Sequence, residues 1–201
     1  MQFFNLNENT FLITWNQNLD SNLTNLLTSY RNIIMSICGD DIQDCVQSIK
    51  SLLVIIHNNG SSIKEIIDKI KMIDPKKINI KNKKIKVWKI PVCYDLEFAP
   101  DIKAVSDLNN ISIQDLIEIH LSKTYDVLSM GFLPGFMYLG KTDNRIHCER
   151  KVKPSLKIKK GSIGLALNQT CIYPTESPGG WNIIGITPVS YTHLRAHETF
   201  A

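Results

Sequence analysis

The sequence predicts an α+β protein that consists of two small domains. Amphipathic helical segments alternate with short β-prone runs in the first part of the chain, whereas the second part contains many short β-prone runs separated by Gly and Pro. The chain has 201 residues, which is enough for two cores that fold on their own. Hydrophobic residues make up 43% of it and charged residues 21%, as in ordinary globular domains.

The first domain is expected to begin with a strand and a helix. Residues 10–15 alternate apolar and polar side chains, as a half-buried strand does. Asp20 is then placed to cap a helix whose apolar side chains recur at helical spacing up to Gly39. Two further strands, residues 43–48 and 51–57, are close enough in sequence to pair as a hairpin.

A second helix and a fourth strand are predicted to complete this domain. Ser62 and Glu65 have the spacing of a capping box, and the helix that they begin must end before Pro75. Residues 85–92 have the composition of a strand, with a change of phase that indicates a bulge. The resulting order βαββαβ predicts a ferredoxin-like domain over residues 1–92.

The second domain, residues 93–190, is expected to be rich in short strands. Residues 100–108 and 112–122 are predicted as short helices, the second of which begins with a capping box formed by Ser112 and Asp115. Gly and Pro punctuate the part that follows, which predicts a small sandwich or barrel. The predicted strands are residues 127–130, 163–167, 171–173 and 181–186.

The positive charge of the chain does not indicate nucleic-acid binding. The formal net charge is +4, and most of the cations are lysines. Two lysine-rich runs, residues 76–89 and 151–160, lack the pattern of interleaved arginines and aromatics expected of a base-stacking surface. Runs of this kind usually mark solvated segments, so no nucleic-acid partner is predicted.

The cysteines and the apolar runs indicate the cellular compartment in which the protein is expected. Five cysteines, an odd number, include no C-x-x-C pair and no metal-type spacing with His. Free thiols in a reducing compartment are therefore expected. The chain shows no secretory signal at its start and no apolar run of the roughly 18 residues that a membrane span needs. The protein is predicted to be cytoplasmic, without a membrane partner.

The last eleven residues, 191–201, differ in character from the rest of the chain. They look like a vector or adapter junction and are predicted to be a non-native tail. His193 and His197 in this tail have i, i+4 spacing, but no third ligand is patterned nearby. No metal site is predicted from them.

Several glycine-rich segments in the second domain resemble a known family. Together they resemble the family of 5-oxoprolinase B subunits, which is also described as carboxyltransferase-like or Kip-type proteins. The resemblance covers about residues 90–188. The segments that carry it are GFLPGFMYLG at residues 131–140, GSIGLA at 161–166, QTCIYP at 169–174 and SPGGWNIIG at 177–185.

The resemblance implies both a fold and an activity. The second domain would be a cyclophilin-like β-barrel, incomplete here because the family continues with another strand after about residue 188. The protein would belong to a multi-subunit enzyme that opens 5-oxo-L-proline, a lactam, to L-glutamate with ATP as co-substrate. Its partners would be the A and C subunits of 5-oxoprolinase. Other members of the family are associated with urea carboxylase or allophanate hydrolase, and some inhibit a sensor histidine kinase, so these alternatives stay open.

The resemblance also points to candidate site residues. His120 and Arg150 are the expected catalytic residues, and no bound metal or organic cofactor is expected. Two Pro-Arg pairs are usual in this region of the family, and Arg150 is the one arginine of the two that this chain retains. The expected substrate-binding residues are Ser162, Gln169, Tyr173, Pro134, Gly135, Phe136, Gly179, Gly180 and Trp181.

Structural roles compete with these assignments. His120 lies near the apolar face of its predicted helix, where a histidine is often a core residue. The glycines have an equally good explanation in tight turns. The sequence contains no Walker-type loop, no serine elbow and no His-Glu-x-x-His motif, so the chain alone is not expected to hydrolyse ATP or a lactam.

Overall fold

The structure, a computed structural model, describes residues 1–17, 21–57, 62–74, 78 and 86–188. The chain divides into two compact units, residues 1–84 and the residues from 85 onwards. This division falls before the predicted domain boundary after residue 92. Both units combine helices with antiparallel sheets, which confirms the α+β class. The capping role of Asp20 and the tail at 191–201 lie outside the described residues.

The N-terminal unit packs two helices against one face of a four-stranded antiparallel sheet. The elements are β1 (Gln2–Asn7), β2 (Thr10–Thr14), α1 (Ser21–Cys38), β3 (Ile42–Gln47), β4 (Ser51–Ile56) and α2 (Ile63–Lys71). The strand order in the sheet is β1-β2-β4-β3. The predicted first strand, both helices and the hairpin are confirmed.

The final strand of the predicted βαββαβ order does not form, so this prediction is wrong. Residues 86–92 form no strand, and Ile90 and Val92 pack against the core of the C-terminal unit instead. The edge of the sheet beside β2 is occupied by β1, in which Phe4 pairs with Leu12. Strand β1 escaped prediction because its side chains are almost all exposed, so its sequence carries no alternation of buried and exposed positions.

Burial of apolar side chains stabilises this unit. Alternate residues of β2 and β4 face the helices, and Tyr30 of α1 meets Trp15 with ring centroids 5.2 Å apart in an edge-on arrangement. Each fully buried aliphatic or aromatic side chain contributes about 1.5 to 3 kcal/mol. The side chains that are 0% exposed in this core are Phe11, Ile13, Leu27, Ile34, Leu52, Val54, Ile66 and Ile70.

The C-terminal unit contains two short helices, a five-stranded antiparallel sheet and a two-stranded ribbon. The elements are α3 (Ile102–Leu108), α4 (Ile113–Leu121), β5 (Asp126–Met130), β6 (Met137–Gly140), β7 (Ser155–Ile158), β8 (Ser162–Ala166), β9 (Gln169–Ile172), β10 (Ser177–Gly179) and β11 (Asn182–Ile186). The sheet has the order β11-β8-β9-β6-β5, and the ribbon pairs β10 with β7. Both predicted helices and all four predicted strands are confirmed, whereas β6, β7 and β10 were missed.

The five-stranded sheet supplies two separate cores because side chains alternate along each strand. On one side, here called the helical face, Ile163, Leu165 and Ile172 pack against residues of α3 and α4. On the other side, here called the aromatic face, Cys171 and Ala166 pack with aromatic side chains. The two faces therefore place neighbouring residues of one strand in different environments.

Helix α4 begins with the capping box that the sequence predicted. The Asp115 backbone N–H donates to Ser112 Oγ at 3.0 Å, and the Ser112 backbone N–H donates to Asp115 Oδ2 at 3.2 Å. We expect Ser112→Ala to lower the free energy of unfolding of this unit by about 1 kcal/mol, because the Asp115 N–H in the first turn of the helix loses its acceptor. Urea unfolding would be followed by Trp181 fluorescence after Trp15 and Trp88 are replaced by phenylalanine.

The exposed Gln114 on the same helix supplies the control. Gln114→Ala should change the unfolding free energy by less than about 0.5 kcal/mol. Equal effects of the two substitutions would show that the capping box contributes nothing.

No helix in the described ranges is long and apolar enough to cross a bilayer.

Candidate functional site

An aromatic cluster on the aromatic face brings together several of the predicted site residues. Phe136 lies at its centre, with the ring centroids of Tyr138, Tyr173 and Trp181 at 4.9, 5.1 and 6.3 Å. All three contacts are edge-on, the geometry that the quadrupoles of aromatic rings favour. Phe136 and Tyr173 are fully buried, whereas Tyr138 is partly exposed. The aromatic cluster is thus a packed wall with one accessible ring.

A tight turn places Phe136 in this cluster. The Phe136 N–H donates to the Leu133 carbonyl at 2.9 Å, and the Gly131 N–H donates to the Phe136 carbonyl at 3.2 Å. Gly135 has φ of +83°, a conformation that favours glycine. Pro134, beside it, is exposed. The turn therefore gives Gly135 a structural role that accounts for its presence.

The loop containing Gly179 and Gly180 closes over the cluster. A side chain at Gly179 would collide with the Tyr173 hydroxyl and would approach Ile158 Cδ1 to 2.9 Å. The Gly180 carbonyl accepts from the Lys151 N–H at 2.8 Å. Only glycine fits at position 179, because Tyr173 and Ile158 approach the main chain so closely there. The Gly180 carbonyl fixes the segment that carries Arg150 through its hydrogen bond to the Lys151 N–H.

Arg150 provides the fixed cation at the rim of the aromatic cluster. Its guanidinium carbon lies 5.3 Å from the Trp181 ring centroid, within cation–π range. The side chain is exposed and forms no ion pair with any described residue. Burial raises the pKa of Tyr138, and the charge of Arg150 opposes that rise. The guanidinium thus keeps donors available for an anionic ligand.

Hydrogen bonds on both sides hold the Arg150 main chain in place. Asn182 Nδ2 donates to the Glu149 carbonyl at 2.8 Å. Lys151 Nζ lies 2.6 Å from an Asp101 carboxylate oxygen, and that oxygen also accepts from the Ile183 N–H at 2.7 Å. Asn182, Lys151 and Asp101 were not among the predicted site residues. Asp101 lies 82 residues from Ile183 in the chain, so no local pattern could have revealed it.

His120 lies on the helical face, away from the aromatic cluster. Its Nε2 is 3.1 Å from Thr170 Oγ1, and its Nδ1 is 2.8 Å from the Tyr94 hydroxyl. Thr170 Oγ1 donates its proton to the Gly164 carbonyl at 3.0 Å, so it must accept from His120. The proton of the neutral ring is therefore on Nε2, and Tyr94 donates to Nδ1. Both ring nitrogens are satisfied.

Burial fixes the protonation state of this histidine. His120 is only 6% exposed, and desolvation lowers its pKa from 6.5 to about 4. The ring is neutral at pH 7 and joins α4 to β9. This packing supports a structural role, and the catalytic role expected for His120 stays a prediction.

Ser162 and Gln169 share the aromatic face with the cluster, because they alternate with the residues that point to the helical face. Both are buried. Gln169 Nε2 and the Tyr173 hydroxyl have no hydrogen-bond partner among the described residues. Among those residues, no three His, Cys, Asp or Glu side chains are grouped as a metal site requires.

The hydroxyls of Tyr94, which is partly buried, and Tyr173, which is fully buried, offer a comparison within this unit. We expect Tyr94→Phe to lower the free energy of unfolding by about 1 to 2 kcal/mol, because the buried His120 Nδ1 loses its donor. Tyr173→Phe should have a smaller effect, because the Tyr173 hydroxyl forms no hydrogen bond of good geometry and interacts only weakly with the Trp181 main chain. Urea unfolding followed by Trp181 fluorescence measures both. A larger loss for Tyr173→Phe than for Tyr94→Phe would contradict the assignment of partners.

Comparison with known proteins identifies the family. The family model described as carboxyltransferase domain, subdomain C and D, matches residues 1–200. The 5-oxoprolinase B subunit of Bacillus subtilis (strain 168) is 44% identical over 105 residues, which are 52% of this chain and 44% of that protein. The match thus spans less than half the length of that relative.

Solved structures agree with this relationship. The conserved uncharacterized protein PH0987 from Pyrococcus horikoshii is 37% identical, with a TM-score of 0.51 over 94% of this chain and 86% of that chain. The Kluyveromyces lactis urea carboxylase has a TM-score of 0.70 at 16% identity, over 89% of this chain and 18% of that chain, which shows a shared fold. The chain belongs to the family of carboxyltransferase domains, subdomain C and D.

Proposed function

We propose that the chain acts as the B subunit of an ATP-dependent 5-oxoprolinase complex that opens 5-oxo-L-proline to L-glutamate. The relative from Bacillus subtilis is named as a 5-oxoprolinase B subunit, which supports this assignment. The proposed companions are the A and C subunits, and ATP is a substrate of the complex. The finer fold proposal is that the C-terminal unit is a cyclophilin-like barrel built on its five-stranded sheet and two-stranded ribbon.

The observation that carries the proposal is the position of Arg150. Its guanidinium lies over Trp181 and forms no ion pair with the described residues, at the rim of a largely buried aromatic wall. 5-Oxo-L-proline is a small ring that bears one carboxylate. A guanidinium binds a carboxylate through two parallel hydrogen bonds, and an apolar wall suits the ring. Arg150 is therefore the proposed anchor for the substrate carboxylate.

The proposed reaction uses ATP to activate a stable amide. Transfer of the γ-phosphoryl group of ATP to the amide oxygen releases ADP and makes the ring carbon electrophilic. One water then attacks that carbon and the ring C–N bond breaks, with a proton going to the nitrogen. A second water hydrolyses the resulting acyl phosphate to the carboxylate of glutamate and inorganic phosphate. The chain contributes binding and orientation: Arg150 fixes the carboxylate, and the aromatic cluster shields one side of the ring from water. The sequence has no phosphate-cradling loop, so phosphoryl transfer is assigned to one of the companion subunits.

Reconstitution tests the proposal. Glutamate and ADP would be measured from 5-oxo-L-proline and ATP with the A and C subunits, in the presence and absence of this chain. We expect both products only when all three proteins are present, and neither product from this chain alone. A full rate without the chain, or steady ATP hydrolysis by the purified chain alone, would contradict the proposal. Urea in place of 5-oxo-L-proline tests the reaction suggested by the urea carboxylase fold.

A further inference from the structure

Two aliphatic side chains on the segment that follows Arg150 are almost fully exposed. Val152 is 99% exposed and Leu156 is 90% exposed, more than any other large apolar residue in the described ranges. Exposed apolar residues are common singly, but a pair this exposed on one short segment is typical of an interaction surface. We call residues 150–160 the docking segment.

The docking segment is strongly basic. It contains Arg150 and five lysines, and it contains no Asp or Glu. Lys151 and Lys157 are paired with Asp101 and Glu176. Lys153, Lys159 and Lys160 are exposed and form no ion pair within the described part of the chain. A partner that covers Val152 and Leu156 therefore meets several uncompensated positive charges.

The backbone of the docking segment also has an open side. Strand β7 pairs only with β10 in a two-stranded ribbon, so its outer edge has no strand neighbour in the described structure. Lysines on an edge strand protect it against association between sheets. Leu156, on the same strand, is exposed to solvent, and such protection does not explain an exposed leucine. The outer edge of β7 therefore combines main-chain groups that pair with no other strand and an exposed apolar side chain.

We infer that the docking segment binds an extended acidic segment from one of the companion subunits, which adds as a strand to the outer edge of β7. Its apolar side chains would cover Val152 and Leu156, and its carboxylates would pair with the free lysines. This inference rests on the proposed function, since it assumes that the chain works within a complex. It extends that proposal by assigning a surface and the chemistry of its occupant.

The composition of the segment favours a protein over other anionic partners. The docking segment has no aromatic side chain on which a base could stack. It presents a short strand with one exposed aliphatic side chain, Leu156, and a second, Val152, just before the strand, whereas membrane-surface binding usually uses a long amphipathic helix. Acidic protein segments combine the two required features, negative charge and apolar side chains, with a backbone that can join a sheet edge.

Titration calorimetry of the full chain with each of the purified companion subunits tests this inference. For the double variant Val152→Asp, Leu156→Asp we expect the Kd to rise at least about tenfold, and for Lys159→Glu, Lys160→Glu we expect a weaker complex at low salt with a smaller salt dependence. Leu108→Asp is the matched control, because Leu108 is 63% exposed in the same unit. Hydrogen exchange should show new protection of the β7 amides in the complex.

The outcomes separate this inference from the proposed function. If the double variant binds as tightly as the wild type and the complex still produces glutamate, the docking segment is not the binding surface and the proposed function stands. If the wild-type chain binds neither companion, both fail. If phosphatidylserine vesicles or single-stranded DNA bind the wild type in a lysine-dependent way and the companions do not, the partner class is wrong. Circular dichroism of each variant verifies folding.

Discussion

We expect His120→Ala to lower the free energy of unfolding of the C-terminal unit by about 3 kcal/mol. The substitution removes a buried ring, and it leaves the Tyr94 hydroxyl without its acceptor at 2.8 Å. Thr170 Oγ1 loses the donor at 3.1 Å that links β9 to α4. Urea unfolding followed by Trp181 fluorescence, with Trp15 and Trp88 replaced by phenylalanine, reports on this unit.

His147→Ala is the control for this substitution. His147 lies in the same unit, but its side chain is exposed, and its Nε2 lies 3.4 Å from Glu149 Oε1 in an ion pair that requires a protonated ring. Its removal should change the unfolding free energy by less than about 0.5 kcal/mol. Similar effects of the two substitutions would show that the buried hydrogen-bond chain does not stabilise the unit.

The second large effect is a pH dependence that originates at His120. Burial lowers the folded-state pKa of His120 to about 4, whereas the unfolded chain has an ordinary pKa near 6.5. Between these values the unfolded chain binds a proton that the folded chain does not, so stability falls as the pH falls. From pH 7.5 to pH 5 the expected loss attributable to this residue is on the order of 2 kcal/mol.

The pH effect is isolated by comparison with His120→Gln. All other titrating groups are present in both proteins, so the difference between their unfolding free energies should narrow as the pH is lowered from 7.5 to 5. A difference that stays constant over this range would mean that His120 titrates alike in the folded and unfolded states. That result would contradict the neutral, fully paired ring in the structure.

Local patterns predicted the elements that local interactions determine. Both capping boxes, Ser62 with Glu65 and Ser112 with Asp115, form as expected and begin their helices. Residues 51–57 were predicted as a strand that pairs with the strand before it, and β4 indeed pairs with β3. Periodicity and end signals identify such elements because their cause lies within a few residues of the chain.

The errors arose where the cause lies far away in sequence. Ile90 and Val92 belong to the run that was predicted as the fourth strand of the first domain. An apolar pattern does not say which core receives such residues, and they pack in the C-terminal unit. Strand β10 contains Pro178, which weakens any strand signal. For the candidate site, Phe136 and Trp181 were both assigned to substrate binding, and the structure brings their rings together. The catalytic role assigned to His120 stays a prediction.

The separation of His120 from the cluster has a simple geometric origin. Thr170 and Cys171 are neighbours in β9, so their side chains point to opposite faces of the sheet. His120 binds Thr170 on the helical face, and Cys171 packs with Trp181 on the aromatic face. A family resemblance can indicate that residues matter, but only the strand register decides which face each one occupies.

The central claim is that the aromatic face, through Arg150, binds the substrate of the proposed complex. The most direct measurement is kcat/KM for 5-oxo-L-proline in reconstituted complexes that contain Arg150→Ala or His120→Gln, with assembly confirmed for both. We expect Arg150→Ala to lower kcat/KM by about 10- to 100-fold, with Arg150→Lys in between, because the carboxylate loses a charged bidentate partner. His120→Gln should stay within about threefold per folded complex. Full activity of Arg150→Ala together with loss of turnover in assembled His120→Gln would place the chemistry on the helical face instead.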